Sequence, residues 1–320
     1  MHLVEDQYQR TFKTLRISLT NVCNLGCVYC VQGEEPRKDI PLKNAPLSLA
    51  QLLQTVSELK NVLPLDAIRL TGGEPTLYKE LIPLIQGLNN LCISNIKMTS
   101  NGYLLAGMVP KLVAAGLKEV NISLDAMDAD VFYKVSQRKD LNRVLNAIEQ
   151  CISHGIAVKL NAVIMNGLND SQILPLLHYA KKNNIAVRFL ELMKMGYYYS
   201  HEFEKYFFAE KNILETIAAN FSYRKEERIT GATANYWTTE EGHRFGIIAN
   251  ESSPFCGDCD RLRLDSNGNI FGCLSENTAV PIHDALGDKE ELLKRLKLAL
   301  SHKQVVRFKG SKLEMIAIGG

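Results

Sequence analysis

Residues 14–30 read TLRISLTNVCNLGCVYC. Leu15–Leu19 is a short strand-like run, and Cys23, Cys27 and Cys30 follow it at once, so three thiols sit in the loop at a strand's C-terminal end. Further strand-like runs occur at Ala67–Leu70, Ile96–Met98, Glu119–Leu124, Val158–Ile164 and Val187–Leu192, with helical spacing between them. Leu49, Leu52, Leu53, Val56 and Leu59 trace one helical face, and Ser48 with Gln51 forms a capping box at its start. Asp170 is expected to cap the helix carrying Ile173, Leu176, Leu177 and Ala180, while Asp128 and Lys139–Leu141 introduce two more. Six strand–helix units in a row predict an α/β fold with a parallel sheet covered by helices, either open or curled into a barrel. In a βα barrel, active sites form at the C-terminal face of the strands, where these thiols lie.

The remaining composition narrows the class. The 320 residues carry 37 Lys+Arg against 35 Asp+Glu, a formal charge of +2, with 46% hydrophobic and 22% charged residues. That balance excludes wholesale disorder and argues against a protein that coats nucleic acid. No apolar run is long enough for a membrane span, and Met1–Lys13 is too polar for a secretion signal, so a cytoplasmic protein without a membrane partner is expected. After Met195 the pattern changes. GYYYSHEFEKYFF (196–208) is aromatic and irregular, and strand-like pieces beyond Arg228 flank Cys256, Cys259 and Cys273, with Asn267-Gly268 a hairpin signal. The expected division is residues 10–225 and 226–320.

Six of the eight cysteines thus fall into two triads. Cys92 and Cys151 stand alone in apolar surroundings and read as buried structural thiols. A structural zinc site wants four ligands, whereas a [4Fe–4S] cubane on three thiolates leaves one iron open. No fourth Cys or His lies near the first triad; at the second, Asp258 or Asp260 leaves zinc as an alternative. Arg16, Arg69, Lys159 and Arg188 each sit singly in an apolar strand, and Arg261 and Arg263 share one face of another. A buried cation needs a counter-charge. Glu191 and Asp125 could serve a few of the four single strand cations; joined by Arg261 and Arg263, the set suggests a cage for a polyanion such as a triphosphate.

The CxxxCxxC loop with Tyr29 before its last cysteine, together with LTGGEP (70–75) and NISLD (121–125) after later strands, resembles the radical S-adenosylmethionine (SAM) enzymes. LRISLT, TSNGYLL, VNISLDA, VKLNAVIMNGLND, VRFLELMKMG, FCGDCDRLRLDSNGNIFGCL and the terminal Gly319-Gly320 extend the resemblance, from about Phe12 to Gly320, to the GTP 3′,8-cyclases of molybdenum cofactor biosynthesis. The resemblance implies a partial (β/α)6 TIM-type barrel with a small C-terminal iron–sulfur domain packed on its open side. It implies two [4Fe–4S] clusters, on Cys23, Cys27 and Cys30 and on Cys256, Cys259 and Cys273. SAM contacts would fall to Tyr29, Gly73, Glu74, Ser123 and Met193, and GTP contacts to Arg16, Arg69, Thr99, Lys159, Arg188, Arg261 and Arg263. The implied reaction converts GTP to its 3′,8-cyclo-7,8-dihydro form. The implied partners are a low-potential donor of flavodoxin or ferredoxin type, a downstream pterin-forming enzyme and a second copy in a homodimer. Val31-Gln32, Thr76-Leu77-Tyr78 and Phe271-Gly272 depart from the family pattern and leave open a relative acting on another nucleotide or a peptide.

Overall fold

The computed structural model describes residues 4–31 and 46–318, so Gln32 and the terminal Gly319-Gly320 lie outside the described residues. All six expected strands form: β1 (Thr14–Ser18), β2 (Ala67–Thr71), β3 (Asn95–Ser100), β4 (Glu119–Ser123), β5 (Ala157–Ile164) and β6 (Ala186–Glu191). They lie side by side in that order, every neighbouring pair parallel. Helices α1 (Leu49–Val62), α2 (Leu81–Asn90), α3 (Val109–Ala115), α4 (Ala129–Ser136), α5 (Leu141–Ser153) and α6 (Ile173–Lys182) connect them.

The caps follow the sequence in part. Ser48 and Gln51 close the capping box of α1, and Asp128 accepts from the amides of Asp130 and Val131 at 3.0 and 2.9 Å to start α4. Asp170 does not cap α6: it opens a 3₁₀ turn, Asp170–Gln172, and α6 begins without a side-chain cap. Cys92 is also not buried. It follows α2 in a left-handed turn (φ 58°) that leaves it exposed, whereas Cys151 is buried on α5.

Side chains alternate across each strand. Leu15, Ile17, Ile68, Leu70, Ile96, Met98, Val120, Ile122, Leu160, Val187 and Phe189 point to one face and are fully buried in the apolar core shared with the helices. The other face is polar: Arg16, Arg69, Lys97, Thr99, Glu119, Asn121, Lys159, Asn161 and Arg188 all line one cavity. A closed barrel fills its interior with branched apolar side chains. Here the inner face is charged, and a cavity of about 640 Å³ remains.

The later chain extends this sheet at both edges. Beyond α7 (Phe203–Tyr206) and α8 (Glu210–Ala218), strands β7 (Tyr223–Lys225), β8 (Asn235–Thr239) and β9 (Arg244–Ile248) add to β6, with β9 parallel to it. β10 (Arg261–Leu264) pairs parallel with β1, and β11 (Asn269–Phe271) and β12 (Val280–Pro281) continue outward antiparallel. The hairpin at Asn267-Gly268 forms between β10 and β11, with Gly268 at φ 80°. Helices α9 (Lys289–Ser301) and α10 (Met315–Ile318) complete the chain. Among the described residues no helix is long and apolar enough to cross a membrane.

Candidate active site

The loop after β1 is pinned from three sides. Gly26 and Val28 donate backbone hydrogen bonds to the carbonyls of Ser136 and Val135 at 3.0 Å each, and Arg138 Nε donates to Asn24 O at 2.8 Å. The turn after β2 lies directly against it: Gly73 N donates to Thr20 O, and Glu74 N to Val22 O at 2.9 Å. A Cβ on Gly73 would stand 2.2 Å from Val22 O, so glycine here serves the approach of two loops to each other. Below the loop, the aromatic segment packs Tyr198 and Phe203 against Met165 and Leu192, in contact with Val28 and Tyr29.

Glu74 is buried and accepts four hydrogen bonds, from Thr76 N and Oγ1, Ser100 Oγ and Asn101 N, at 2.7–3.0 Å. Burial nevertheless raises its pKa. The departure at Thr76 therefore lies in the turn itself, as a Glu74 partner. Tyr29 donates to Asp125 Oδ2 at 2.8 Å, and Asp125 also accepts from Val163 N; burial holds its carboxyl up at about 6.

The two triads occupy opposite ends of the barrel. Cys23, Cys27 and Cys30 follow β1 at its C-terminal end. Cys256 and Cys259 precede β10, which runs parallel to β1, and Cys273 follows the antiparallel β11, so all three lie at the N-terminal end. All six cysteines line the one cavity. Burial raises the thiols of Cys23 and Cys256 to about 11 and of Cys30 to about 12. Cys259 differs: burial would raise it, but Lys303 and Arg261 outweigh burial and hold it at about 7. Lys303 is itself buried, donating to Arg261 O and Gly272 O at 2.9 Å and to Cys259 Sγ at 3.4 Å. No sequence signal marked it, thirty positions beyond Cys273.

Each triad offers three thiols to the cavity, the donor set that a [4Fe–4S] cubane with one open iron would use. Asp258, one proposed fourth ligand, is occupied by Arg228 at 2.7 Å and Gly231 N at 2.8 Å.

The cations fall into register. Arg263 pairs in the ladder with Arg16, Arg16 with Arg69, and Arg69 with Lys97, placing four cations at one level across β10, β1, β2 and β3. Glu119 on β4 continues the row and contacts Lys159 at 2.9 Å, Arg69 at 3.3 Å and Lys97 at 3.5 Å. This corrects the expected counter-ions. Asp125 serves Tyr29, and Glu191 accepts the backbone amides of Glu210, Glu251 and Ser252, because both lie at the far end of their strands. Lys97 was missed although its strand was expected, and Glu119 opens β4. Arg188 donates to Asn161 at 2.9 Å. Among the described residues, Arg16 Nε, Arg69 Nη1 and Asn121 Oδ1 are buried with no hydrogen-bond partner, all three on residues lining the cavity. Such orphans are costly unless a ligand meets them. Thr99, Ser123 and Met193 also line it, so every expected site residue borders this one space.

Residues 17–180 match the family described as the Radical SAM superfamily, and residues 185–308 that described as Molybdenum Cofactor Synthesis C. Among solved structures, Streptococcus suis SuiB bound to precursor peptide SuiA superposes with a TM-score of 0.67 at 17% identity, covering 92% of this chain and 68% of that one. The structure of anSMEcpe with bound AdoMet gives 0.60 at 17% identity, over 91% and 84%. At this identity the likeness speaks to the fold alone, a partial barrel; the match to the Radical SAM superfamily carries with it a [4Fe–4S] cluster and SAM. A GTP 3′,8-cyclase of Synechocystis sp. is 35% identical over 280 residues, 87% of this chain and 84% of that protein, and one of Helicobacter pylori is 34% identical over 302 residues, 92% and 90%. The chain belongs to the GTP 3′,8-cyclase family of radical SAM enzymes.

Proposed function

We propose that the chain converts GTP to its 3′,8-cyclo-7,8-dihydro isomer, carrying one [4Fe–4S] cluster on Cys23, Cys27 and Cys30 and a second on Cys256, Cys259 and Cys273. One observation carries this reading: both triads and the cations Arg16, Arg69, Lys159, Arg188, Arg261 and Arg263 border a single cavity. A peptide would find too many like charges there; a nucleoside triphosphate supplies the missing anion.

With SAM bound, the cluster on Cys23, Cys27 and Cys30 would supply the radical chemistry that removes the ribose C3′ hydrogen, and closing the C3′–C8 bond would take one further electron, from the external donor, and one proton at the base to give the GTP isomer. The chain's residues do the holding. Tyr29, Gly73, Ser123 and Met193 would border SAM, with Glu74 fixing the turn that presents Gly73. The six cations and Thr99 would seat the triphosphate and stop it sliding in the chamber. Cys256, Cys259 and Cys273 would hold their cluster toward the guanine. The tail helix α10, with Ile318 buried and its carbonyl accepting from Arg263 at 3.4 Å, would exclude water. A low-potential donor of flavodoxin or ferredoxin type would supply electrons, and a pterin-forming enzyme would take the product. In this reading residues 10–225 bear the radical chemistry and 226–320 the second cluster.

Anaerobic reconstitution followed by incubation with SAM, GTP and dithionite tests it. The expected result is 5′-deoxyadenosine together with a GTP isomer joined at C3′ and C8, identified by chromatography and NMR. Iron for one cluster only, or SAM cleavage with GTP recovered intact, would refute it.

A further inference from the structure

The inner face carries a cation beyond the six seated in the reading above. Lys97 sits on β3 at the level of Arg69 and Glu119, lines the cavity, and leaves 27% of its side chain exposed. Glu119 is its salt-bridge partner at 3.5 Å, but that carboxylate also serves Lys159 at 2.9 Å and Arg69 at 3.3 Å. One carboxylate among three cations leaves an excess of two positive charges at this corner. Among the described residues, Arg69 Nη1 is buried there with no hydrogen-bond partner. A row of neighbouring strands sets successive cations about 5 Å apart, and such a row can hold a chain of phosphate oxygens from the side.

We infer that Lys97 binds a phosphate oxygen of the substrate beside Arg69, and that Glu119 is a positioning residue that gathers Lys97, Lys159 and Arg69 before the substrate arrives. The assignment rests on the proposed GTP reading. It extends the phosphate seat along the row from Arg263 through Arg16 and Arg69 to β3, and makes this end of the row a determinant of phosphate number.

The experiment is anaerobic calorimetry on cluster-loaded protein with GTP, guanosine and inorganic tripolyphosphate, with SAM binding as the control for folding. Lys97→Met should weaken GTP and tripolyphosphate about 10- to 100-fold, the worth of a charged hydrogen bond, and leave guanosine and SAM unchanged. The double variant Lys97→Met with Glu119→Gln keeps the wild-type net charge. Glu119→Gln alone reports the positioning of Lys159 and Arg69; the double variant binds GTP more weakly than Glu119→Gln if Lys97 touches phosphate, and equally if Lys97 only balances Glu119, in which case the inference fails. Unchanged GTP and tripolyphosphate affinity in Lys97→Met also overturns it. Wild-type protein that binds tripolyphosphate but not GTP would refute the proposed function while the tripolyphosphate arm still decides Lys97.

Discussion

Replacing Arg16 with methionine should stabilise the substrate-free protein and abolish its response to GTP. Arg16 is flanked in register by Arg69 on one side and Arg263 on the other, and no ion pair holds it among the described residues. Burial, then repulsion from Arg263, Arg69 and Arg261, pulls its pKa well down, so the charged form weighs against folding. Two unit charges about 5 Å apart at an effective dielectric of about 40, between protein and water, repel by about 1.7 kcal/mol. Two neighbours double that, and the open cavity screens part, leaving about 1–3 kcal/mol. Methionine keeps the apolar stem, so little packing is lost. Urea titration of the substrate-free variant should show a higher midpoint. GTP at a hundred times its Kd should stabilise wild type by about 2.7 kcal/mol and the variant far less. A lowered midpoint, or equal stabilisation of both proteins by GTP, would refute the view that the row is held in tension for an anion.

Three further outcomes follow from other contacts. Gly272→Ala puts a Cβ 1.9 Å from Ala299 O in α9, and should cost about 2–3 kcal/mol in urea melts and lower iron retention at the neighbouring Cys273. Lys303→Met removes the ammonium that opposes burial at Cys259, so that thiol should rise from about 7, slowing its alkylation at neutral pH in cluster-free protein. Burial opposes ionisation of Glu119, but Lys159, Lys97 and Arg69 together hold it at about 2 against an ordinary 4.5; the stability it confers is complete above pH 4.5 and lost as pH falls toward 2, and Glu119→Gln should flatten that slope.

The strands, the capping box at Ser48 and the hairpin at Asn267-Gly268 were legible because each is written in residues near one another. The two triads were legible because thiol spacing within a loop is local. The row of charges was only half visible. Arg16, Arg69 and Arg263 could be seen as odd cations in apolar runs, but their alignment depends on the ladder pairing of strands up to 247 positions apart. Lys97 escaped because its strand was recognised from the apolar Ile96 and Met98 around it. Counter-ions followed the same limit: Asp125 and Glu191 are nearer in sequence to some cations than Glu119 is, yet face other partners. Asp170 reads as a cap by residue type and fails because a 3₁₀ turn intervenes. Lys303 has no local signature, since only the folding of α9 against Gly272 brings it to Cys259.

The pairing of β1 with β10 acts as a ruler. Each triad is attached to an opposite end of the same hydrogen-bonded ladder, whose five-residue first strand spans about 16 Å. The gap between the two sulfur nests is therefore set chiefly by the length of that backbone ladder. Evolution could retune which base or sugar fits by exchanging inward side chains, but a substantially longer or shorter guest would demand a different number of residues in both strands at once.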